Sequence, residues 1–270
     1  MPVRLKTISG DGVIRVAGEV SVKSSDISDY HGEWDVLGKL KTVDGSFTTS
    51  SQWGTGNVNI EPQGSVVVTN NSNGSLFVFD NTLSGSGTLL VNFSGSGNGT
   101  DLYTPTFKIQ QGTTSEFTGM VELAGEKNKK VVYILDSDEL STSGIRVSDN
   151  SVLSVGRDDS SKETFTLGKL DIAGGELNIG DIQTGSPTSN KTIRVTKKLN
   201  ADGEGTVRID TSAGFINAVP ATESELETLP LMEQDDGLQK TSMMLVNAKG
   251  AEIIGSGGGL SLVDQNGKVL

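Results

Sequence analysis

Apolar and polar residues alternate with a period of two along most of this chain. In Gly12–Lys23, Ile14, Val16, Gly18, Val20 and Val22 fall on one face, and Arg15, Ala17, Glu19, Ser21 and Lys23 on the other. That spacing predicts a half-buried β-strand. The pattern returns at Trp34, Val36 and Leu40, at Val58 and Ile60, and at Val66 and Val68. It continues at Leu89, Val91 and Phe93, at Phe117, Val121 and Leu123, and at Ile145 and Val147. Later members are Leu170 and Ile172, Leu177 and Ile179, Val207 and Ile209, and Leu260 and Leu262. The predicted strands are short, roughly four to six residues, and are bounded by Gly, Asn, Asp and Ser. No period of 3.6 competes between Gly10 and Gly214.

Many of these strands start from a Gly-Ser or Gly-Thr corner: Gly45-Ser46, Gly64-Ser65, Gly74-Ser75, Gly87-Thr88 and Gly205-Thr206. Parallel strands ordinarily need a helical crossover, and none is predicted here. Parallel pairing must then come from a chain that coils on itself, each coil bonding to those above and below. An antiparallel sandwich would use similar strands but would ask for regularly spaced hairpin turns. The uneven spacing favours the coil. The expected fold is therefore all-β, a right-handed parallel β-helix, with about ten to twelve coils of roughly 20–25 residues. Coils are expected over residues 10–217. Residues 218–240, with two Pro and a cluster of acids, read as an acidic excursion loop. Thr222 and Glu225 have the spacing of a capping box opening a short helical turn that Pro230 would end. Residues 241–270 return to strand character, and the bare apolar end at Val269-Leu270 leads us to expect a chain that continues further.

Composition narrows the setting. The 270 residues include 35 Gly and no Cys, with 34% hydrophobic residues and a formal net charge of −12. High Gly with modest apolar content suits a thin, elongated core. The absence of Cys excludes disulfides, thiolate nucleophiles and Cys-ligated metals. The acidic balance opposes nucleic-acid or anionic-lipid binding through bulk charge. There is no apolar run of about 20 residues that would span a membrane, and no signal peptide at the N-terminus.

Few residues carry catalytic chemistry. His31, the only His, sits in the polar turn Asp29–Gly32 and reads as a surface residue. Asp136, Asp138 and Glu139 form one acidic cluster, Asp158 and Asp159 a second, and Asp235 and Asp236 a third. Paired acids on an outer wall serve sugar-cleaving enzymes, and Arg146 and Arg157 flank the first two clusters. Acids in Ser- and Asn-rich turns are more simply solvated corners. Asp136-x-Asp138 lacks the spacing of a calcium loop, and Gly255–Gly259 lacks the Lys that a phosphate loop needs. No catalytic residue, metal or cofactor is expected. Lys127–Lys130 and Lys191–Lys198 are the basic runs, and they are where a glycosaminoglycan could make a local contact.

Ser84-Gly85-Ser86-Gly87-Thr88-Leu89, Phe117-Thr118-Gly119-Met120-Val121-Glu122-Leu123 and Gly174-Gly175-Glu176-Leu177-Asn178-Ile179-Gly180 resemble coil steps of bacterial autotransporter passenger domains. The resemblance covers roughly Gly10–Gly214, and Ser242–Leu270 more weakly. It implies export through the periplasm to the bacterial cell surface by a C-terminal translocator barrel, which these residues do not include. It also implies adhesins or self-associating factors as the commonest roles. The expected partners are then a second copy of the chain or a host glycan or matrix ligand. A polar edge at Asn57, Asn59, Thr69, Asn70, Asn71, Asn73, Asn92 and Asn98 is the expected contact surface. The alternatives are a stalk displaying another domain, or a carbohydrate-active enzyme.

Overall fold

The computed structural model describes residues 3–5, 7–22, 27, 29–42, 53–70, 76–93, 106–110, 112, 114, 116–126, 130–156, 162, 164–179, 191–200, 205–208, 230–235, 240–245, 253–254, 260–264 and 266–268. Among these residues the regular elements are all strands. They form sheets of twelve, seven and five strands and one short two-stranded pair. We name the large ones the first, second and third sheet in that order. The chain visits them in rotation. Leu83–Gly85 lies in the third sheet, Thr88–Phe93 in the first and Thr106–Ile109 in the second; Glu116–Phe117 and Met120–Ala124 then repeat the third and the first. Each strand pairs in parallel with the one laid down a circuit earlier. Alternation without helices thus produces parallel pairing, as the sequence predicts.

Circuit length varies. The circuit that brings Leu40 beside Val20 is much shorter than the one that brings Val121 beside Leu89. Among the described residues ten strands of the first sheet, from Val3–Arg4 to Pro230–Asp235, pair in parallel.

Register converts alternation into columns. In the first sheet Val20, Leu40, Val66, Leu89, Val121, Ile145 and Leu170 occupy successive rungs at one inward position. In the second, Phe77, Phe107, Tyr133, Leu153, Leu177 and Val207 do the same. All but Val20, which is half-buried, lie in one contiguous core. Phe77 and Phe107 stack at 5.2 Å, and Phe107 meets Tyr133 at 5.7 Å. Each buried side chain contributes about 1.5–3 kcal/mol of transfer energy. A slip of one residue would turn a whole column outward. Nearer the N-terminus, Trp34 packs edge-on against Tyr30 and Trp53. Trp34 donates its indole N–H to the Trp53 carbonyl at 2.7 Å. Asn81 sits buried below and donates to the carbonyls of Gly54 and Gly56 at 2.9 and 2.8 Å.

The turn from the third sheet to the first is a stack of glycines: Gly18, Gly38, Gly64, Gly87 and Gly119. The residue after each turn donates its N–H to a glycine carbonyl of the preceding circuit: Lys39 to Gly18 (2.8 Å), Ser65 to Gly38 (2.8 Å), Thr88 to Gly64 (3.1 Å) and Met120 to Gly87 (3.1 Å). A Cβ on Gly38, Gly64, Gly87 or Gly119 would overlap a backbone carbonyl oxygen beneath it. None of these four has positive φ. Space, not backbone freedom, fixes glycine here. Gly85 and Gly174, in two of the motifs noted above, do have positive φ.

Two expectations change after residue 217. Within 218–240, Pro230–Asp235 is a strand rather than loop, pairing in parallel with Thr192–Asn200. It also pairs antiparallel with Lys240–Leu245, which pairs antiparallel with Ile253–Ile254. Residues 236–239 are too short a link for a parallel crossover and suit an antiparallel return. Leu260–Val263 rejoins the second sheet in parallel beside Gly205–Arg208. The Thr222–Glu225 turn and Gly255–Gly259 lie outside the described residues.

The glycine stack gives a direct test. Gly119→Ala is expected to destabilise the chain by ~1–3 kcal/mol, the usual cost of overpacking. Gly18→Ala meets no atom within 4 Å and has no positive φ, so its denaturation midpoint should match wild type. Equal effects of the two in urea titrations would refute the steric account.

Candidate functional site

The expected polar edge divides between two sheets. On the third sheet, Arg15, Asp35, Asn59, Ser84 and Glu116 occupy successive rungs facing away from the core. The Asn59 amide donates to Asp35 Oδ1 at 3.2 Å and to Glu61 Oε1 at 3.1 Å. Ser84 Oγ donates to Asn59 Oδ1 at 3.2 Å, and Arg15 Nε lies 3.5 Å from Asp35 Oδ2. Four circuits are thus linked side chain to side chain. Asn57 is exposed nearby, and its carbonyl accepts the Trp34 N–H at 2.9 Å. Thr69 and Asn92 are rung neighbours on the first sheet instead, and Asn70 pairs there with Phe93. Asn92 Oδ1 is buried without a hydrogen-bond partner. The structure therefore does not bring these two groups into one patch. Asn71, Asn73 and Asn98 lie outside the described residues. Sequence reasoning does not find Asp35 and Ser84, because each lies a whole circuit from Asn59 and only register reveals such neighbours.

The acidic cluster lies just past the end of the third sheet. That sheet ends at Glu116–Phe117. In the next circuit residues 136–143 make turns rather than a strand. An open cleft of about 250 Å³ forms there, lined by Thr114, Asp138, Glu139, Ser141, Thr142 and Lys162. Side chains replace the missing ladder: Thr142 Oγ1 donates to the Phe117 carbonyl at 2.8 Å, and the Thr166 N–H donates to Asp138 Oδ1 at 2.7 Å. Asp138 also holds Lys162 at 2.8 Å, and Lys197 Nζ donates to the Thr142 carbonyl at 2.8 Å.

Glu139 is 5% exposed. Its carboxylate accepts from Tyr133 Oη at 3.2 Å and from the Ser137 hydroxyl. Burial pushes this carboxyl up to about 7, and the Ser137 and Tyr133 hydroxyls hold back part of the rise. Burial, then the neighbouring Glu139 charge, raises the Tyr133 phenol well above its ordinary range. Perturbed acids mark functional sites, but both Glu139 oxygens face hydroxyls, and Asp138 is tied to Lys162. Asp136 lies 3.5 Å from Lys108, and Arg146 lies 3.4 Å from Asp171 on the first sheet. Arg146 thus pairs with Asp171, while lysines stand beside Asp136 and Asp138. His31 is exposed, with its Nδ1 2.6 Å from Thr55 Oγ1. Arg157, Asp158, Asp159 and Asp236 fall outside the described residues, as does the side chain of Asp235. Among the described residues no group of three or more His, Cys, Asp or Glu has the geometry of a metal site.

One buried ion pair was not foreseen. Arg208 meets Glu176 in a two-pronged contact, Nε to Oε1 at 2.6 Å and Nη2 to Oε2 at 3.0 Å. Arg208 Nη1 also donates to the Asp264 carbonyl at 3.3 Å, linking the last strand to the preceding circuits. Both side chains point outward from the second sheet, at positions that alternation alone marks as exposed.

The chain is 28% identical over 266 residues to the uncharacterized protein YuaQ of Escherichia coli strain K12. That alignment spans 97% of this chain and 17% of YuaQ. No protein-family model matches the chain, and no solved structure matches it. Among the described residues no helix is long and apolar enough to cross a membrane.

Glu139 predicts a pH dependence. Its folded-state pKa lies above the ordinary 4.5, so folding takes up a proton between about pH 4.5 and 7. Stability is greatest below that window and declines as pH rises to about 7, by up to ~3 kcal/mol. Glu139→Gln should flatten the stability profile between about pH 5 and 8 and stabilise the chain at the upper end. An unchanged slope in urea titrations across that range would refute the assignment.

Proposed function

We propose that this chain is a segment of a right-handed parallel β-helix from a bacterial autotransporter passenger, working at the cell surface in adhesion or self-association. The observation that carries the reading is the rotation of the chain through parallel sheets, which leaves polar side chains in regular outward columns. Such a surface makes many weak contacts in register rather than one deep one. The Arg15–Asp35–Asn59–Ser84 column is the best-ordered example. The likeness to an Escherichia coli protein and the absence of Cys are in keeping with a chain exported through a bacterial envelope. A protein with a single dominant site would present a built pocket, whereas the acids of the 136–142 turns are held by their neighbours. Binding, not catalysis, fits that arrangement best.

The test is to display the chain on a non-clumping bacterium through a fused translocator barrel and follow settling. Clumping that the purified soluble chain inhibits is the expected result. Asn59→Lys combined with Ser84→Lys should reduce it while the circular dichroism spectrum stays that of strand. Cells that stay dispersed, or variants that settle as wild type does, would overturn self-association through this column.

A further inference from the structure

We propose that the turns at 141–144 and the lysines around them form a binding surface for an acidic polysaccharide, one bearing sulfate or carboxylate groups on a hydroxyl-rich chain. This rests on the reading of the chain as a surface-exposed adhesion rod and names its ligand class.

The surface is built by an irregularity. Leu167 pairs with Val195 and Lys169 with Lys198, so Thr196 and Lys197 stand opposite the single residue Gly168. A bulge of this kind re-aims side chains. Lys197 and Lys198, consecutive in a strand and due to face opposite ways, are both exposed as a result. Lys197 reaches the Thr142 carbonyl at the rim of the cleft. Lys198 stands beside Lys169 on the adjacent strand, about 4.8 Å away along the sheet. Lys169 pairs with Gly144, whose added Cβ would lie 2.7 Å from Lys169 Cβ. Lys162 closes the other side.

Like charges on neighbouring rungs repel. Among the described residues no carboxylate stands within ion-pair distance of Lys169, Lys197 or Lys198. Asp138 neutralises only Lys162. Among the described residues these three lysines therefore stand without a carboxylate partner, on a chain of net charge −12. Screening over about 8 Å at physiological salt makes these local charges, not the total charge, what an anion in contact experiences. The hydroxyls of Ser141 and Thr142 line the same cleft, and Thr142 Oγ1 keeps a lone pair free after donating to Phe117. Ammonium groups beside hydroxyls match a sulfated or carboxylated sugar. Nucleic acid would want exposed aromatic faces for stacking, and Phe165, whose ring centroid lies 5.2 Å from Lys162 Nζ, is buried.

The test uses the full chain, a sulfated heparin oligosaccharide, neutral dextran and single-stranded DNA, titrated calorimetrically at about 150 mM salt. Heparin should bind and dextran should not. Lys169→Gln with Lys198→Gln should weaken heparin binding by roughly tenfold or more, whereas Lys39→Gln, an exposed lysine several circuits away, should leave it unchanged. Asp138→Asn, which releases Lys162, should tighten it. Absence of heparin binding, equal weakening by all the lysine variants, or DNA bound as tightly as heparin would each overturn the proposal. Clumping that survives in a chain unable to bind heparin would overturn this ligand assignment while leaving the adhesion reading in place.

Discussion

A corner too narrow for a Cβ governs this molecule. At Gly38, Gly64, Gly87 and Gly119 the chain turns against a carbonyl oxygen of the circuit below, and the next N–H bonds across the same gap. The contact fixes the height of each circuit and the phase in which the following strand begins. Once phase is fixed, alternation does the rest: every second residue enters the core and meets its counterpart one rung away. The hydrophobic columns are a consequence of that corner as much as of their own apolar character. Short circuits such as Val20 to Leu40 and long ones such as Leu89 to Val121 can share one register because the extra length is taken up elsewhere.

That division explains what was legible in the sequence. The strands and their inward residues could be read because period two is a local signal; Val66, Leu89, Val121 and Ile145 all fall where alternation puts them. The glycine corners could also be read, although the reason differs by position, close approach alone at Gly87 and close approach with positive φ at Gly85. Contacts between circuits could not. Arg208 and Glu176 lie a circuit apart, as do Asn59 and Asp35, and the two separations differ. With no constant circuit length, counting along the chain does not find such partners. The antiparallel return at Pro230–Leu245 was missed for another cause: its Pro and acids obscure the alternation that marks the earlier strands.

Polar groups are tolerated in and on these sheets according to how well the neighbouring circuits satisfy them. Asn81 is buried at no evident cost, since its amide spans two carbonyls. Arg208 and Glu176 face away from the core yet are buried, and a two-pronged contact is the geometry that best offsets their desolvation. Glu139 is different. Its partners are hydroxyls rather than a cation, so burial wins and the carboxyl is driven toward its neutral form.

The departures from regularity fall together. Where the corner column reaches Ser143, the Lys169 N–H bonds to a serine carbonyl in place of a glycine one. In that circuit the third sheet gives way to turns, the Glu139 carboxyl is buried, and the cleft opens. Thr164–Leu167 pairs regularly with Thr192–Val195 in the first sheet, but the bulge that follows leaves Lys197 and Lys198 both facing water. A regular stack of parallel strands presents the same surface at every rung, so repetition by itself cannot distinguish one place from another. An interruption can, because it sets charge and hydroxyl groups at spacings the regular ladder does not provide. The binding surface proposed above therefore falls at the 137–144 turns and the bulge beside them, where the surface departs from its regular columns.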